Sequence, residues 1–188
     1  MSLTKWKDFL PGEKYIEASI KNGRISHAYI IQLDESQDGF IYDFIMAIKC
    51  DVMTGIGCEN CDTCKRILSN SDLDLLIVEG DGSVKDEDIE GAQEFLKLKS
   101  TSNRGILVIK NADTMTRKAE NRLLKVLEEP SGDKTIILTC RSTEGFLDTV
   151  LSRCIIYRLS PPERKYDEKD IEFAKDFLLD IYGKTWFN

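Results

Sequence analysis

Residues 28–40 decide the fold and read AYIIQLDESQDGF. The stretch begins with a short apolar run, continues through a polar loop, and ends where helical spacing begins at Phe40. Runs that are short and almost entirely apolar are typical of strands that a parallel sheet buries on both faces. The sequence therefore predicts a first strand at 28–31. Further runs of this kind lie at 75–78, 106–109, 135–138 and 155–157.

Segments with helical spacing separate these runs. Apolar residues repeat on one face over 40–48 and again over 89–96, where the acidic start 86–88 complements a helix N-terminus. Two more helices are predicted over 116–127 and 144–151. Strands that alternate with helices in this way predict an α/β fold with a doubly wound core of five strands.

The composition excludes several classes of protein. The 188 residues are 41% hydrophobic and 31% charged, which suits one globular domain. No apolar run approaches the roughly 20 residues of a membrane-spanning helix, and no secretory signal is recognisable, so we expect a soluble cytoplasmic protein without a membrane partner. The formal net charge of -7 excludes a general electrostatic hold on nucleic acid. Any contact with DNA is expected to be local or shared with partners.

Four cysteines form the pattern C-x7-C-x2-C-x2-C, at Cys50, Cys58, Cys61 and Cys64. Tetrahedral Zn²⁺ needs four thiolates about 2.3 Å from one point, and a C-x2-C turn supplies two of them. Gly55 and Gly57 allow the intervening loop to fold back sharply. We predict a structural zinc module over about 50–66, with buried free thiols or redox-active cysteines as the alternatives. Cys140 and Cys154 lie at strand runs and are expected to be core residues.

The loop after the first strand lacks the pattern G-x-x-x-x-G-K-[ST], in which backbone N–H groups and a lysine bind nucleotide phosphates. It has one glycine, no lysine and the three carboxylates Asp34, Glu35 and Asp38. After the third run, Lys110 and Asn111 stand where an ATPase carries acidic residues for Mg²⁺. We therefore expect neither bound ATP nor ATP hydrolysis. The degenerate phosphate loop comprises Leu33, Asp34, Asp38, Gly39 and Phe40.

Several motifs give the chain a resemblance to a known family. Besides the cysteine cluster, they are 24–29 (RISHAY), 70–73 (NSDL), 121–130 (NRLLKVLEEP) and 151–154 (LSRC). In this order they resemble the bacterial clamp-loader proteins of DNA polymerase III, which belong to the AAA+ class, over roughly residues 7–160. Within the family the chain is similar to the delta-prime branch, because the gamma/tau branch keeps a working phosphate loop.

The resemblance implies an organisation and a set of partners. A P-loop-NTPase-like AAA+ core would occupy residues 1–165, with the zinc module inserted, and residues 166–188 would begin a helical lid with a helix over 167–182. The implied function is that of a non-hydrolysing subunit that helps to load the sliding clamp in DNA replication, as part of the DNA-directed DNA polymerase holoenzyme. The implied partners are gamma/tau and delta subunits and, through the complex, the sliding clamp and primer–template DNA.

The tripeptide Ser152-Arg153-Cys154 implies an action in trans. In the family, this arginine reaches the ATP held by a neighbouring gamma/tau subunit, where a guanidinium stabilises the charge of the transition state. The resemblance therefore implies that Arg153 is an arginine finger, positioned by Ser152 and Cys154. The alternative from the residues alone is a surface arginine that caps a helix or pairs locally within its own chain.

Two other functions stay open at this point. One is an active gamma/tau-type ATPase with a divergent phosphate loop, which tight binding of Mg-ATP would distinguish. The other is a stand-alone zinc module that binds protein or DNA, although such a module leaves the five strand runs unexplained.

Other single residues carry smaller predictions. His27 is the only histidine, and we expect it to be packed or hydrogen-bonded. Asp113 is expected to cap the helix that begins near Thr116. Four basic residues along that helix are expected on a solvated face, with contact to DNA phosphates as the alternative. They are Arg117, Lys118, Arg122 and Lys125.

Overall fold

Parallel pairing joins five strands in the computed structural model, which describes residues 3–102, 104–129 and 133–160. The strands are β1 (Ala28–Gln32), β2 (Leu75–Val78), β3 (Gly105–Ile109), β4 (Lys134–Cys140) and β5 (Ile155–Arg158). They lie in the order β2-β3-β4-β1-β5, and all four pairings are parallel. The strands predicted from the five apolar runs are therefore confirmed.

Burial differs between the inner and the outer strands. The register sets Tyr29 of β1 opposite Ile137 of β4 and Ile155 of β5. Strands β3 and β4 are buried along their whole length, and β1 is buried except at its last residue. The expectation of burial on both faces is wrong for β2 and β5, which are half-buried or partly exposed. These two lie at the edges of the sheet, where a strand has a neighbour on one side alone.

Helices lie before the first strand and between successive strands along the chain. They are α1 (Glu13–Lys21), α2 (Gly39–Lys49), α3 (Asp62–Leu68), α4 (Asp86–Lys97), α5 (Arg117–Glu128) and α6 (Asp148–Leu151). The helix predicted over 144–151 is wrong in its first half, since residues 143–146 form a turn closed by the Phe146 N–H on the Thr143 carbonyl oxygen. The next N–H, of Leu147, donates to the Glu120 side chain of α5. The helix therefore begins only at Asp148.

The helices cover both faces of the sheet. Successive residues of a strand point to opposite faces, so Tyr29 and Ile31 pack into one core and Ala28 and Ile30 into the other. The first core contains α1, α2 and α3, and the second contains α4, α5 and α6. Helix α2 is buried along nearly all of its length because α1, α3 and the 3-10 turn Leu3–Trp6 pack against it.

Aromatic rings fix the start of α2. The rings of Phe40 and Phe44 stack with their centroids 5.8 Å apart, and Trp6 meets Phe40 edge-on at 5.5 Å. The Trp6 indole N–H also donates to Asp43 Oδ2 at 2.7 Å. Burial of Phe40 and of Phe44 stabilises the fold by roughly 1.5–3 kcal/mol each. These contacts hold the N-terminal end of α2 in place against the sheet.

The basic face of α5 is exposed at Arg117 and Lys118, as predicted, but its charges are paired within the chain. The Asp86 carboxylate of α4 accepts two hydrogen bonds of 2.6 Å from Arg122 and lies 2.9 Å from Lys118 Nζ. Arg117 pairs with Glu120 at 2.9 Å. The face therefore joins α5 to α4 and offers less free charge to DNA than the sequence indicates.

Two predictions about single residues have different outcomes. Asp113 does not cap α5: its Oδ2 accepts the N–H of Arg141 at 3.1 Å, and the capping group is Thr116 Oγ1, which accepts the Ala119 N–H at 3.2 Å. That prediction is wrong because Asp113 lies in a separate 3-10 turn, Ala112–Thr114. His27 is packed, and its Nε2 is buried without a hydrogen-bond partner among the described residues.

The lid predicted over 166–188, with its helix over 167–182, lies outside the described residues. Within the described ranges, no helix combines the length and the apolar character that crossing a membrane requires.

The Asp74 carboxylate anchors the loop between α4 and β3. It accepts the Thr101 N–H at 2.9 Å, the Thr101 hydroxyl at 2.8 Å and the Ser102 N–H at 2.7 Å. Burial acts to raise the pKa of Asp74, but the hydrogen bonds from Ser102 and Thr101 outweigh it and hold the pKa well below its usual range. The ionised carboxylate therefore stabilises this loop.

We expect protonation of Asp74 to cost stability in acid. A carboxyl with a lowered pKa in the folded chain contributes stability above its unfolded pKa of about 3.9, and this contribution is lost as the pH falls. Asp74→Asn should lower the free energy of unfolding at neutral pH by about 1–3 kcal/mol, because buried donors lose their acceptors. It should also flatten the acid decline measured by denaturant unfolding. Asp81→Asn, at an exposed carboxylate, is the control, and equal slopes for Asp74→Asn and the unaltered chain would contradict the assignment.

Candidate functional site

The four clustered cysteines come from two helix ends and the loop between them. Cys50 follows the last residue of α2, Cys58 lies in the loop, Cys61 precedes the first residue of α3, and Cys64 lies in the first turn of α3. Their four sulfur atoms all lie within 4.8 Å of one another. The Sγ atoms of Cys50 and Cys61 are 3.9 Å apart, and those of Cys58 and Cys64 are 4.0 Å apart.

This spacing fits a tetrahedral metal site. Four thiolates bound at about 2.3 Å from one centre are separated by about 3.8 Å along each edge of the tetrahedron. Backbone N–H groups point at three of the sulfurs: Met53 at Cys50 (3.2 Å), Cys61 at Cys58 (3.3 Å) and Cys64 at Cys61 (3.5 Å). Such bonds stabilise thiolates and orient them. The four cysteines could therefore hold a metal ion.

The thiols differ in their acidity. The N–H groups of Asn60 and Cys61 lower the pKa of Cys58 to about 6, whereas burial raises the pKa of Cys64. Burial also raises the pKa of Cys140 and of Cys154 to about 12, so both stay protonated at neutral pH. Both pack with the second core, as predicted. The cysteines thus divide into a cluster of four and two ordinary core residues.

Two glycines shape the cysteine loop as predicted. Gly55 and Gly57 have φ angles of +85° and +78°, a conformation that side chains disfavour. A Cβ on Gly55 would lie 2.7 Å from the Glu17 carbonyl oxygen, and one on Gly57 would lie 2.8 Å from Met46 Cβ. The loop therefore packs closely on α1 and α2.

A buried ion pair holds the cysteine cluster to the core, and the sequence analysis did not anticipate it. Lys49 Nζ lies 2.8 Å from Asp72 Oδ1, and the two side chains are 2% and 4% exposed. Lys49 ends α2, whereas Asp72 lies between α3 and β2. Removing one partner of such a pair leaves a buried charge without its counter-ion. The pair therefore joins the two ends of the segment that carries the cysteines.

The loop between β1 and α2 is a capped 3-10 turn, Glu35–Gln37. Asp34 Oδ1 accepts the Ser36 N–H at 3.1 Å, and Gln37 Oε1 accepts the Asp34 N–H at 2.9 Å. Leu33 and Phe40, at the two ends of the loop, are buried. Side chains of the loop thus bind backbone N–H groups that a phosphate loop would direct at a nucleotide.

Ion pairs occupy the edge of the sheet beyond this loop. Lys110 Nζ, just after β3, lies 2.6 Å from Asp38 Oδ2 and 3.6 Å from Glu79 Oε2. The hydrogen bond with Asp38 raises the pKa of Lys110, so the lysine stays charged. Arg141, just after β4, forms an ion pair with Glu35. The structure thus brings the degenerate loop and Lys110 together. The loop carries a carboxylate where an ATPase has its phosphate-binding lysine, and Lys110 carries an ammonium where an ATPase has its acidic residues.

Asn111, the other residue at the degenerate Mg²⁺ position, has a structural role. Its φ is +50°, in the left-handed region that asparagine tolerates. Its N–H donates to Thr139 Oγ1 of β4 at 3.1 Å. Asn111 therefore turns the chain at the end of β3 and presents no carboxylate to a metal.

Arg153 lies in the turn after α6, and its side chain is 33% exposed. Its Nη1 donates to the Thr149 carbonyl oxygen at 2.8 Å and contacts Ser152 Oγ at 3.4 Å. Its Nη2 donates to Glu128 Oε1 at 3.0 Å. Ser152 thus touches Arg153, whereas Cys154 packs with the core behind it. Within this single chain the guanidinium is paired locally.

The strand order, the helix layers on both faces and the loop after β1 define a doubly wound α/β core without the usual phosphate-binding residues. A family model described as DNA polymerase III, delta subunit, matches residues 12–163, and the chain belongs to this family. The predicted resemblance to bacterial clamp-loader subunits is therefore confirmed.

Curated relatives of the chain include delta-prime subunits. It is 35% identical over 156 residues to DNA polymerase III subunit delta' of Bacillus subtilis strain 168, across 81% of this chain and 47% of the relative. It is 27% identical over 187 residues to the subunit delta' of Escherichia coli K12, across 93% of this chain and 56% of the relative. The chain thus spans about half the length of the curated relatives it matches.

A solved structure supports the same fold. A DNA polymerase III gamma subunit-related protein of Thermotoga maritima superposes with a TM-score of 0.56 at 17% identity. The superposition covers 87% of this chain and 49% of that one. The predicted architecture of a five-stranded parallel sheet between helices is confirmed.

Proposed function

We propose that the chain is the AAA+ core of a clamp-loader subunit that does not hydrolyse ATP itself and supplies Arg153 to the ATP of a neighbouring subunit. The observation that carries the proposal is the Asp38–Lys110 ion pair at the edge of the sheet, in a chain of the DNA polymerase III delta family. Residues 1–165 would form this core, and 166–188 would begin the lid.

Charge and geometry both argue against nucleotide binding by this chain. A nucleotide phosphate at the end of β1 would approach Glu35 and Asp38, whose like charges repel it at close range. The lysine that could attract it, Lys110, is already paired with Asp38. Asn111 offers no carboxylate for Mg²⁺. We therefore place the ATP that matters for this subunit in a neighbour.

The position of Arg153 suits an action in trans. The residue lies in an exposed turn on the C-terminal side of α6, and its packed neighbour Cys154 fixes the backbone behind it. A guanidinium that reaches the γ-phosphate from another subunit stabilises the charge of the transition state and makes hydrolysis depend on assembly. The contact with Ser152 supports a role for that residue in positioning the arginine.

The proposed partners are the gamma/tau and delta subunits and, through the complex, the sliding clamp and primer–template DNA. The net charge of -7 and the paired basic residues of α5 argue that other subunits supply most of the contact with DNA. Such a complex would act in the cytoplasm during DNA replication.

Zinc is the metal we propose for the four cysteines. Four thiolates in a tetrahedral, closed set match structural zinc and leave no open position for catalysis. The cluster would fasten the 50–66 segment, together with the Lys49–Asp72 ion pair.

The zinc proposal predicts about one zinc ion per chain. Cys61→Ser should abolish zinc binding, because three thiolates and a hydroxyl bind zinc much more weakly than four thiolates. Metal analysis of the purified chain measures this, with Cys154→Ala, outside the cluster, as the control that keeps its zinc. Removal of zinc by a chelator should speed hydrogen exchange over 50–66 before the rest of the core. Equal protection of residues 50–66 against hydrogen exchange in a chain purified without zinc would contradict the proposal.

The proposed lack of nucleotide binding predicts a flat calorimetric titration with Mg-ATP. No saturable heat is expected, because Asp38 and Glu35 oppose the phosphates. A gamma/tau subunit titrated under the same conditions is the positive control. Tight binding of Mg-ATP to this chain would instead favour the divergent ATPase.

The trans action predicts a loss of ATP turnover in the assembled complex. Arg153→Ala should leave the subunit folded and assembled but slow hydrolysis at the neighbouring site by about 10³–10⁵-fold, as loss of an arginine finger does. The total ATP turnover of the complex would fall by the fraction that this site contributes to it. Arg158→Ala, at an exposed arginine of β5, is the matched control. DNA-stimulated turnover that is unchanged by Arg153→Ala would rule out the finger.

A further inference from the structure

The guanidinium of Arg153 lies between the one-turn helix α6 and the C-terminal end of α5. The carbonyl oxygen that accepts from its Nη1 belongs to Thr149 of α6, and the carboxylate that accepts from its Nη2 belongs to Glu128, the last residue of α5. Helix C-termini are electronegative because their last carbonyl groups lack partners within the helix. The arginine thus rests in a place that attracts a cation.

Glu128 is an unfavourable residue for its own helix. The helix dipole disfavours a carboxylate in the last turn, and Glu129 adds a second one directly after it. Arg153 provides the opposing charge to Glu128 at 3.0 Å. The two side chains come from separate elements, so their contact is a product of the fold and not of sequence neighbourhood.

The same contact restrains any action of Arg153 in trans. A carboxylate and a phosphate carry like charges and repel each other across a shared guanidinium. Glu128 and a phosphate held by a neighbouring subunit therefore compete for Arg153. Arg153 must therefore break its ion pair with Glu128 before it can bind the phosphate fully.

We propose that Glu128 is a latch, a positioning residue that holds Arg153 away from the neighbour's ATP until the subunits dock. The inference rests on the function proposed above, in which Arg153 acts in trans. The side chains of Arg153 and Glu128 are 33% and 53% exposed, and exposed ion pairs are weak. Docking can therefore break the latch at a small cost.

Neutralising the latch should raise the turnover of the complex before DNA is present. In a clamp loader reconstituted with gamma/tau and delta subunits, Glu128→Gln should increase DNA-independent ATP turnover by about two- to fivefold, the range that loss of an exposed ion pair allows. Glu129→Gln removes the same charge one residue further on and is the matched control. The thermal midpoint of the isolated chain should not fall in either variant, because both remove a charge that the helix dipole disfavours.

The combination with Arg153→Ala separates the latch from the proposed function. If Glu128 acts through Arg153, the double variant should turn over ATP at the rate of Arg153→Ala alone. Three results would overturn the latch while Arg153→Ala still lowers ATP turnover. They are a gain in turnover that persists in the double variant, equal gains in Glu128→Gln and Glu129→Gln, and no gain in Glu128→Gln. If Arg153→Ala itself has no effect, the proposed function fails and the latch fails with it.

Discussion

Parallel pairing of the sheet constrains the rest of this molecule. Parallel neighbours cannot be joined by a tight turn, so each connection must cross a face of the sheet, and here helices make these crossings. Both faces are thereby covered, which is why β1, β3 and β4 are buried almost throughout. The carboxyl ends of all strands also meet at one edge, where open α/β sheets bind their ligands.

Acidic and basic side chains pair with one another at that edge of the sheet. Carboxylates of Glu35, Asp38 and Glu79 face the cations of Lys110 and Arg141, so the edge satisfies its own charges where an active relative would hold Mg-ATP. In the function proposed above, a subunit built in this way would contribute to ATP hydrolysis through what it presents to a neighbour. Arg153 is the residue proposed for that contribution, and its ion pair with Glu128 is the contact that docking would have to break.

The sequence predicts the fold well because its signals are local. Strands follow from short apolar runs, and the cysteine cluster follows from spacing within a single segment. Contacts between distant segments carry no such signal. The Lys49–Asp72 and Asp38–Lys110 pairs join residues from separate elements, and nothing in either local pattern marks the partner.

Contacts between distant segments also explain the local predictions that are wrong. The helix predicted over 144–151 is shortened by the Glu120 side chain of α5, which takes the Leu147 N–H. The capping role assigned to Asp113 fails because Asp113 lies in a separate 3-10 turn, where its side chain accepts the Arg141 N–H from another strand end. The resemblance to clamp-loader proteins points to Arg153 within 151–154. Its partners Thr149 and Glu128, however, follow only from the three-dimensional structure.

The most direct measurement is reconstitution of the clamp loader from gamma/tau and delta subunits with and without this subunit, followed by ATP turnover on primer–template DNA. A subunit that acts through a neighbour should co-migrate with the others, and DNA-stimulated turnover should depend on its presence although it binds no nucleotide itself. An assembly that excludes the chain, or that turns over ATP equally well without it, would contradict a role in the complex.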